Sequence, residues 1–410
     1  MKGIKDFYTV NKDLQSKEMY LKNLLKSDCE KRRVIYLHVP FCNKICSFCP
    51  FNKPTDLKRS TYDEYLINQM KELKEYNYFK APFNAINFGG GTPTTLKPKQ
   101  MDRVLNELRK NFDILENSEI SIETTISELT DDMIDVFLSN GVNRLSIGVQ
   151  TFDEEMRKRY NRRSTKKETI KTIEKVISKG IINTSIDLLY NAPSQSMKSL
   201  DKDLEIISSL NLGGVSIYSL RIHEGTPLHK SISYEECENM ADFIKEKEFF
   251  FRILEKLTPI GYDMLELSKL VRNNIDKYEY MDIRHNGGEC LPIGYGAAGN
   301  IGAYSYRNSS IESKFSEQIK ISTMGRLLKE EYYIIDSLAQ EMISSKVDFD
   351  KYSKLLGYDI YDFFKGKLAE LENEKLINIK DKGFEMTLDG KFWGNNIINE
   401  LLLYFLEEKM

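Results

Sequence analysis

The sequence has no surplus of either charge, no long apolar run, no internal repeat and few histidines. Its 59 basic residues stand against 62 acidic ones, for a net charge of −3. That balance excludes a chain whose main work is gripping a phosphate backbone, so no nucleic-acid partner is expected. The longest unbroken apolar run, Leu401 to Leu406, falls far short of the ~20 residues of a membrane span. The opening segment, MKGIKDFYTVNKDLQSKE, has no apolar stretch of signal-peptide length, and a cytoplasmic protein is expected. What is present suits a folded chain: 41% apolar residues over 410 positions, enough for two or three domains at roughly 150 residues each.

Six cysteines stand at 29, 42, 46, 49, 237 and 290, and three of them fall within eight positions. Pairing into disulfides does not explain an odd local trio, whereas metal or cluster ligation does. In the spacing C-x3-C-x2-C, Cys42, Cys46 and Cys49 can hold three irons of a [4Fe–4S] cluster and leave the fourth open to an outside ligand. Structural zinc would need a fourth Cys or His at a matching distance. His38 precedes the trio, but within a strand-like run. That run, Val34 to Val39, leads straight into the cysteines, so their loop belongs at the carboxyl end of a strand, where β/α barrels place their chemistry.

Short apolar runs recur along the chain at 34–39, 84–88, 119–124, 144–150, 184–189 and 214–220. Between them lie stretches of helical period at 60–76, 99–111, 130–139, 166–179 and 200–210. Alternation of this kind predicts a parallel sheet with crossover helices, and six units fit a partial (β/α)6 barrel of the α/β class. Beyond about residue 230 the pattern changes. Residues 235–258 read as one charged amphipathic helix, and a Gly-rich segment from Gly287 to Gly302 follows. The chain from about 325 is helical again, with a strand pair near 376–379 and 383–388. Helices followed by a small hairpin suggest a winged-helix-like unit, which without a basic surplus is expected to pack rather than to bind DNA.

The cysteine trio, with Phe48 before its third member and Tyr36-Leu-His-Val-Pro-Phe-Cys42 leading in, resembles the radical S-adenosylmethionine (SAM) superfamily, in the branch of oxygen-independent coproporphyrinogen dehydrogenases. The resemblance continues through the GGGTP turn at Gly89–Pro93, GVNRLSIGVQ at Gly141–Gln150, and Ser185-Ile-Asp187-Leu-Leu-Tyr190, where Asn191-Ala192-Pro193 replaces the family's G-L-P. It implies that SAM chelates the open iron and that the reduced cluster cleaves it to methionine and a 5′-deoxyadenosyl radical. It also implies SAM contacts from Tyr36, Phe48, Gly90, Gly91, Thr92, Glu123, Gln150, Arg162, Asp187 and Arg221, with Tyr218 near the adenine. An acid such as Asp187 inside an apolar strand calls for a ligand or an Arg partner. The basic run Met156–Lys167 otherwise reads as a solvated helix start, Arg157, Arg159 and Arg163 included.

Within the branch, the segment from Gly288 to Gly302 resembles that of the heme-utilization radical SAM methyltransferases, the anaerobilin synthases. The coproporphyrinogen dehydrogenases carry a further Cys where this chain has Phe51. The subgroup implies two SAM molecules, heme as substrate, methylation and opening of the macrocycle to a linear tetrapyrrole, and release of iron. It also implies an electron donor such as flavodoxin or ferredoxin and, downstream, a tetrapyrrole reductase. A heme chaperone of the same branch, or an enzyme acting on another acceptor, is the alternative. The Gly-rich segment is expected to let a flat ring approach the backbone, with His285 as the candidate axial ligand and His38 beside the cluster. The implied division is an N-terminal extension (1–30), the barrel (31–232), a substrate-covering region (233–322) and a C-terminal winged-helix-like unit (323–410).

Overall fold

The computed structural model describes residues 14–51, 57–272, 275–309, 325–328 and 330–409. Residues 1–13 of the expected N-terminal extension, 310–322 of the expected covering region and 323–324 of the expected C-terminal unit lie outside them. Six β-branched and apolar runs become strands: β1 (Arg33–Val39), β2 (Phe83–Gly90), β3 (Ile114–Thr125), β4 (Arg144–Gln150), β5 (Asn183–Tyr190) and β6 (Gly214–Ser219). Five crossover helices join them, at Tyr62–Leu73, Pro98–Asn111, Asp131–Ser139, Lys166–Ser178 and Met197–Ser209. Their starts are written locally. Thr130, Thr165 and Ser196 each accept a backbone N–H of the first turn, the last two in reciprocal capping boxes with Glu168 and Ser199. Each helix lays an apolar stripe on the sheet, for example Met101, Val104, Leu105 and Leu108 of Pro98–Asn111.

Further strands follow: β7 (Asp263–Glu266), β8 (Lys269–Val271), β9 (Glu289–Ile293), β10 (Ala298–Ile301), β11 (Tyr304–Arg307) and β12 (Arg326–Leu327). All twelve form one sheet in the order β12-β11-β10-β9-β1-β2-β3-β4-β5-β6-β8-β7. The core from β9 to β6 is parallel and both flanks are antiparallel. Among the described residues the end strands do not meet, so the barrel is partial. A seventh parallel strand, β9, is added beside β1, where a loop was expected. The glycines near it serve strand packing: a Cβ on Gly299 would overlap the Cys290 carbonyl, and one on Gly294 would press on the carbonyl of His38. Gly287, Gly288, Gly299 and Gly302 also line a cavity of about 380 Å³ with Arg284, Tyr306 and Tyr333.

Two other expectations change. The helix read over 235–258 is two, Tyr234–Ala241 and Phe243–Leu257. Asp242 breaks it with extended backbone and caps the second helix by accepting the N–H groups of Ile244 and Lys245. The C-terminal unit holds three strands, β13 (Lys346–Asp348), β14 (Ile377–Lys380) and β15 (Gly383–Met386), ordered β13-β15-β14. With Glu330–Met342 before β13, and Phe349–Leu356 and Ile360–Asn373 after it, this is the winged-helix order. It has its own core around Leu338, Phe349, Phe364, Phe384 and Phe405.

In-register residues share a face, and the concave face is polar. It carries Ser121, Glu123, Arg144, Ser146, Ser185, Asp187 and Ser216. At the amino ends of the strands, residues 276–285 fill it. Arg144 donates from Nε and Nη2 to Asp276 at 3.0 Å each and from Nη1 to Ser121 at 2.9 Å, and it lies 3.9 Å from the centre of the Tyr278 ring. Burial pushes the Asp276 carboxyl up, but Arg144 and Lys269 outweigh it and hold the group well below the usual carboxylate range. His285 is buried here, its Nδ1 3.7 Å from Glu266 Oε1. The site expected for an axial heme ligand is thus sealed under the sheet. Replacing Asp276 with Ala strands a buried guanidinium and should cost ~3–5 kcal/mol of stability, read by chemical denaturation.

Candidate active site

Beyond Val39 the chain leaves β1 and forms the cysteine loop at the carboxyl ends of the strands. The turn after β2 laces it down. Gly91 N–H donates to the Val39 carbonyl at 2.9 Å, Thr92 N–H to that of Phe41 at 2.7 Å, and the Thr92 hydroxyl reaches Cys42 Sγ at 3.6 Å. From the other side, Asn161 Nδ2 donates to the Ile45 carbonyl at 2.8 Å, the Ser47 hydroxyl to that of Arg159 at 2.7 Å, and Asn43 Nδ2 to Glu128 at 2.8 Å. Phe48 packs edge-on against Tyr160, ring centres 5.3 Å apart. Asn161, in left-handed backbone, and Asn43 escaped the sequence reading. Asn161 leaves no signal but an Asn in a basic run, and Asn43 none but its place between two cysteines.

Cys42, Cys46 and Cys49 line one cavity of about 360 Å³ together with Phe48, Gly90, Gly91, Thr92, Glu123, Gln150, Arg162, Asp187, Leu189 and Tyr218. Among the described residues no three His, Cys, Asp or Glu side chains converge as they would on a single metal ion. A cluster gives each thiolate its own iron, so thiols spread around one cavity fit it better than they fit zinc.

The charged groups converge on the same space. Glu123 accepts from Asn87 Nδ2 at 3.2 Å. Burial, with Asp187's charge adding to it, raises its carboxyl to about 7 against the pull of that amide. Among the described residues Asp187 has no Arg partner; it accepts from the Ser146 hydroxyl at 3.4 Å and faces the cavity. Arg162 donates from Nη1 to Cys46 Sγ at 3.2 Å and from Nη2 to the Gly148 carbonyl. It therefore touches the cysteine loop as well as the cavity.

Two expected contacts do not reach this space. Arg221 turns to Glu246 on Phe243–Leu257, with bonds of 2.8 and 3.3 Å, because that helix offers a buried carboxylate. Tyr36 stands one layer behind. Its hydroxyl bonds His38 Nδ1 at 3.0 Å, and its ring and Glu123 both crowd the position a Gly89 Cβ would take. The room beside Gly90, at φ 112°, is filled by the His38 ring, and that beside Gly91 by Phe41. These glycines admit protein groups at least as much as a ligand. Solvent does not take the whole basic run either. Arg157 is 1% exposed, and Arg159 pairs with Glu236 through bonds of 2.5 and 2.8 Å.

Residues 36–207 match the profile of the radical SAM superfamily. The chain belongs to that superfamily. It is 26% identical over 379 residues to an anaerobilin synthase of Escherichia coli O157:H7, covering 90% of this chain and 84% of that one. It is 30% identical over 270 residues to the heme chaperone HemW of Buchnera aphidicola, covering 65% and 70%. Its fold matches the coproporphyrinogen III oxidase structure from Escherichia coli, with TM-score 0.79 and 22% identity over 98% of each chain. Radical SAM membership implies a [4Fe–4S] cluster and SAM. Among the described residues no helix is long and apolar enough to cross a membrane.

The Arg162 contact separates two side chains that the sequence treats alike. Arg162→Ala should lower iron and sulfide per chain after anaerobic reconstitution, because it removes a donor to Cys46. Asp187→Ala should leave both at the parental level while weakening SAM binding. Colorimetric iron and sulfide assays and equilibrium dialysis with labelled SAM check the two.

Proposed function

We propose that this radical SAM protein is a C-methyltransferase that opens the heme macrocycle without oxygen, yields a linear tetrapyrrole of the anaerobilin type and releases iron, using two SAM molecules. The observation that carries the reading is the single cavity in which three thiols meet Glu123, Gln150, Arg162 and Asp187. When bound, the reduced cluster and SAM supply a carbon-centred radical; the chain supplies placement. In this reading Cys42, Cys46 and Cys49 hold the cluster, and the Arg162 guanidinium steadies Cys46 and offers its free N–H groups to a carboxylate. Glu123 and Asp187 accept from ammonium or ribose hydroxyl groups, and the Gln150 amide both donates and accepts.

Phe48, Leu189 and Ile126 form an apolar wall that keeps water from a reactive centre. Ile45, Phe51 and Tyr218 remain exposed where the cavity opens, Phe51 at 77%. A flat apolar ring would cover such a rim. The likeness to anaerobilin synthase over 90% of the chain and the Gly288–Gly302 segment favour heme as that ring. An electron donor of the flavodoxin or ferredoxin class completes the scheme.

The likeness to HemW at 30% identity favours a second reading, a protein that binds heme and passes it on intact. One assay divides them: reconstituted protein with heme, methyl-labelled SAM and a strong reductant, without oxygen. Loss of the heme absorbance band with label in a linear tetrapyrrole is the expected result. Intact heme passing to an acceptor protein overturns it for the chaperone. Intact heme with 5′-deoxyadenosine still formed points to another substrate. Cys42→Ala, Cys46→Ala or Cys49→Ala should each abolish 5′-deoxyadenosine formation, and stoichiometric zinc without iron uptake would remove the basis of the whole reading.

A further inference from the structure

Gln150 ends β4 at φ 75°, a left-handed conformation that costs a non-glycine residue of order 1–3 kcal/mol. The β4–β5 register slips between Gly148 and Gln150, so the strand bulges where it enters the cavity. Strain of this kind persists only where the surroundings over-determine it, and two buried ionisable side chains do so. From the helix Met197–Ser209, Asp203 accepts the Thr151 hydroxyl at 2.7 Å and the Phe152 N–H at 2.8 Å. From the other side, Arg157 donates through Nη1 to the carbonyls of Val149 at 3.2 Å and Thr151 at 2.7 Å, one on each side of Gln150. Its Nε and Nη2 donate to the Ser164 carbonyl and hydroxyl, each at 2.8 Å, which ties down the segment that follows Arg162.

Arg157 and Asp203 are 1% and 2% exposed, and no ion pair joins them among the described residues. Burying both charges is a poor route to stability, since apolar residues of similar volume fill such space at lower cost. Burial leaves its mark on each. It depresses the Arg157 guanidinium to about 10, helped by the neighbouring Arg162, and raises the Asp203 carboxyl to about 6. What the pair achieves is geometry. Gly148, inside the bulge, receives Arg162 on its carbonyl, and Arg162 reaches Cys46.

We propose that Arg157 and Asp203 are positioning residues that hold the Gly148–Phe152 bulge in the one backbone form that aims Gln150 and Arg162 into the cavity, and thereby set SAM affinity without touching SAM. This rests on the SAM-facing roles proposed above for Gln150 and Arg162, and it is independent of the tetrapyrrole.

The test uses anaerobically reconstituted full-length protein and four variants: Asp203→Asn, Arg157→Lys, Thr151→Val and Thr151→Ser. Three quantities are read on each, namely iron and sulfide per chain, the SAM dissociation constant by equilibrium dialysis, and the thermal midpoint. Asp203→Asn, Arg157→Lys and Thr151→Val should weaken SAM binding, measured on chains that hold the cluster, about tenfold or more, the scale of one lost hydrogen bond to a charged group. Thr151→Ser, which keeps the hydroxyl, should bind SAM within about twofold of the parent. SAM affinity unchanged in Asp203→Asn and Thr151→Val, even with a lowered thermal midpoint, makes the pair merely structural and overturns the proposal. If Asp203→Asn fails to fold, Thr151→Val, which removes a single hydroxyl, decides alone. A parent that binds no SAM sinks both this proposal and the cavity reading, whereas a parent that binds SAM and leaves heme intact sinks only the tetrapyrrole reading.

Discussion

A parallel sheet that does not close has to be sealed at one end, and the Arg144–Asp276 pair is what seals this one. The concave face is lined with hydroxyls and charges that water would otherwise reach from below. Arg144 meets a buried carboxylate, a buried hydroxyl and a half-buried aromatic ring. Glu119, from the neighbouring strand, accepts the N–H groups of Glu279 and Tyr280 and so anchors the start of the helix Glu279–His285. Each of these groups is expensive to bury alone and tolerable only in the company of the others. The seal is therefore cooperative.

With the base closed, access is left at the carboxyl ends of the strands, where the cysteine loop lies. Among the described residues neither Glu123 nor Asp187 is compensated by a direct ion pair, and both face the cavity, where a cationic or hydroxyl-rich ligand would satisfy them. The partial burial that raises Glu123 toward neutrality follows from its place one strand in from β2, against Gly89. Gly89, Gly90 and Gly91 in turn allow Glu123, His38 and Phe41 to lie closer than any side chain would permit. The turn is an adapter between the strands and the loop. Its glycines do structural work even where they also border the ligand space.

The same economy governs β4. It carries Arg144 of the seal at one end and the strained Gln150 at the other, so one strand spans the molecule's fixed floor and its ligand-facing rim. The helices that flank its exit supply Asp203 and Arg157, and the rigidity of the first turn after the strand is borrowed from them. On the far side, β9 extends the sheet beside β1, which carries the cysteine loop. Gly294 and Gly299 let that added edge come close enough to pair.

Sequence alone determined the alternating strands and helices of the barrel, the cysteine spacing and the superfamily, while the cap at Ser196 starts its helix three residues before the 200–210 stretch read from period alone. Hydrophobic period and ligand spacing are local matters, read within a few residues. It could not show that Asp242 splits a helix, because an Asp in a charged amphipathic stretch reads equally well as a solvated face. Nor could it show that Glu289–Ile293 is a parallel strand, since pairing with a segment some 250 residues earlier leaves no local mark. The fates of individual charges were also hidden. Arg157, Arg159, Arg162 and Arg163 stand in one basic run, yet one is buried in a clamp, one is paired, one touches a cysteine sulfur and one faces solvent. Which carbonyl, carboxylate or thiol lies within reach of a long side chain depends on packing between distant elements, and only the tertiary structure decides that.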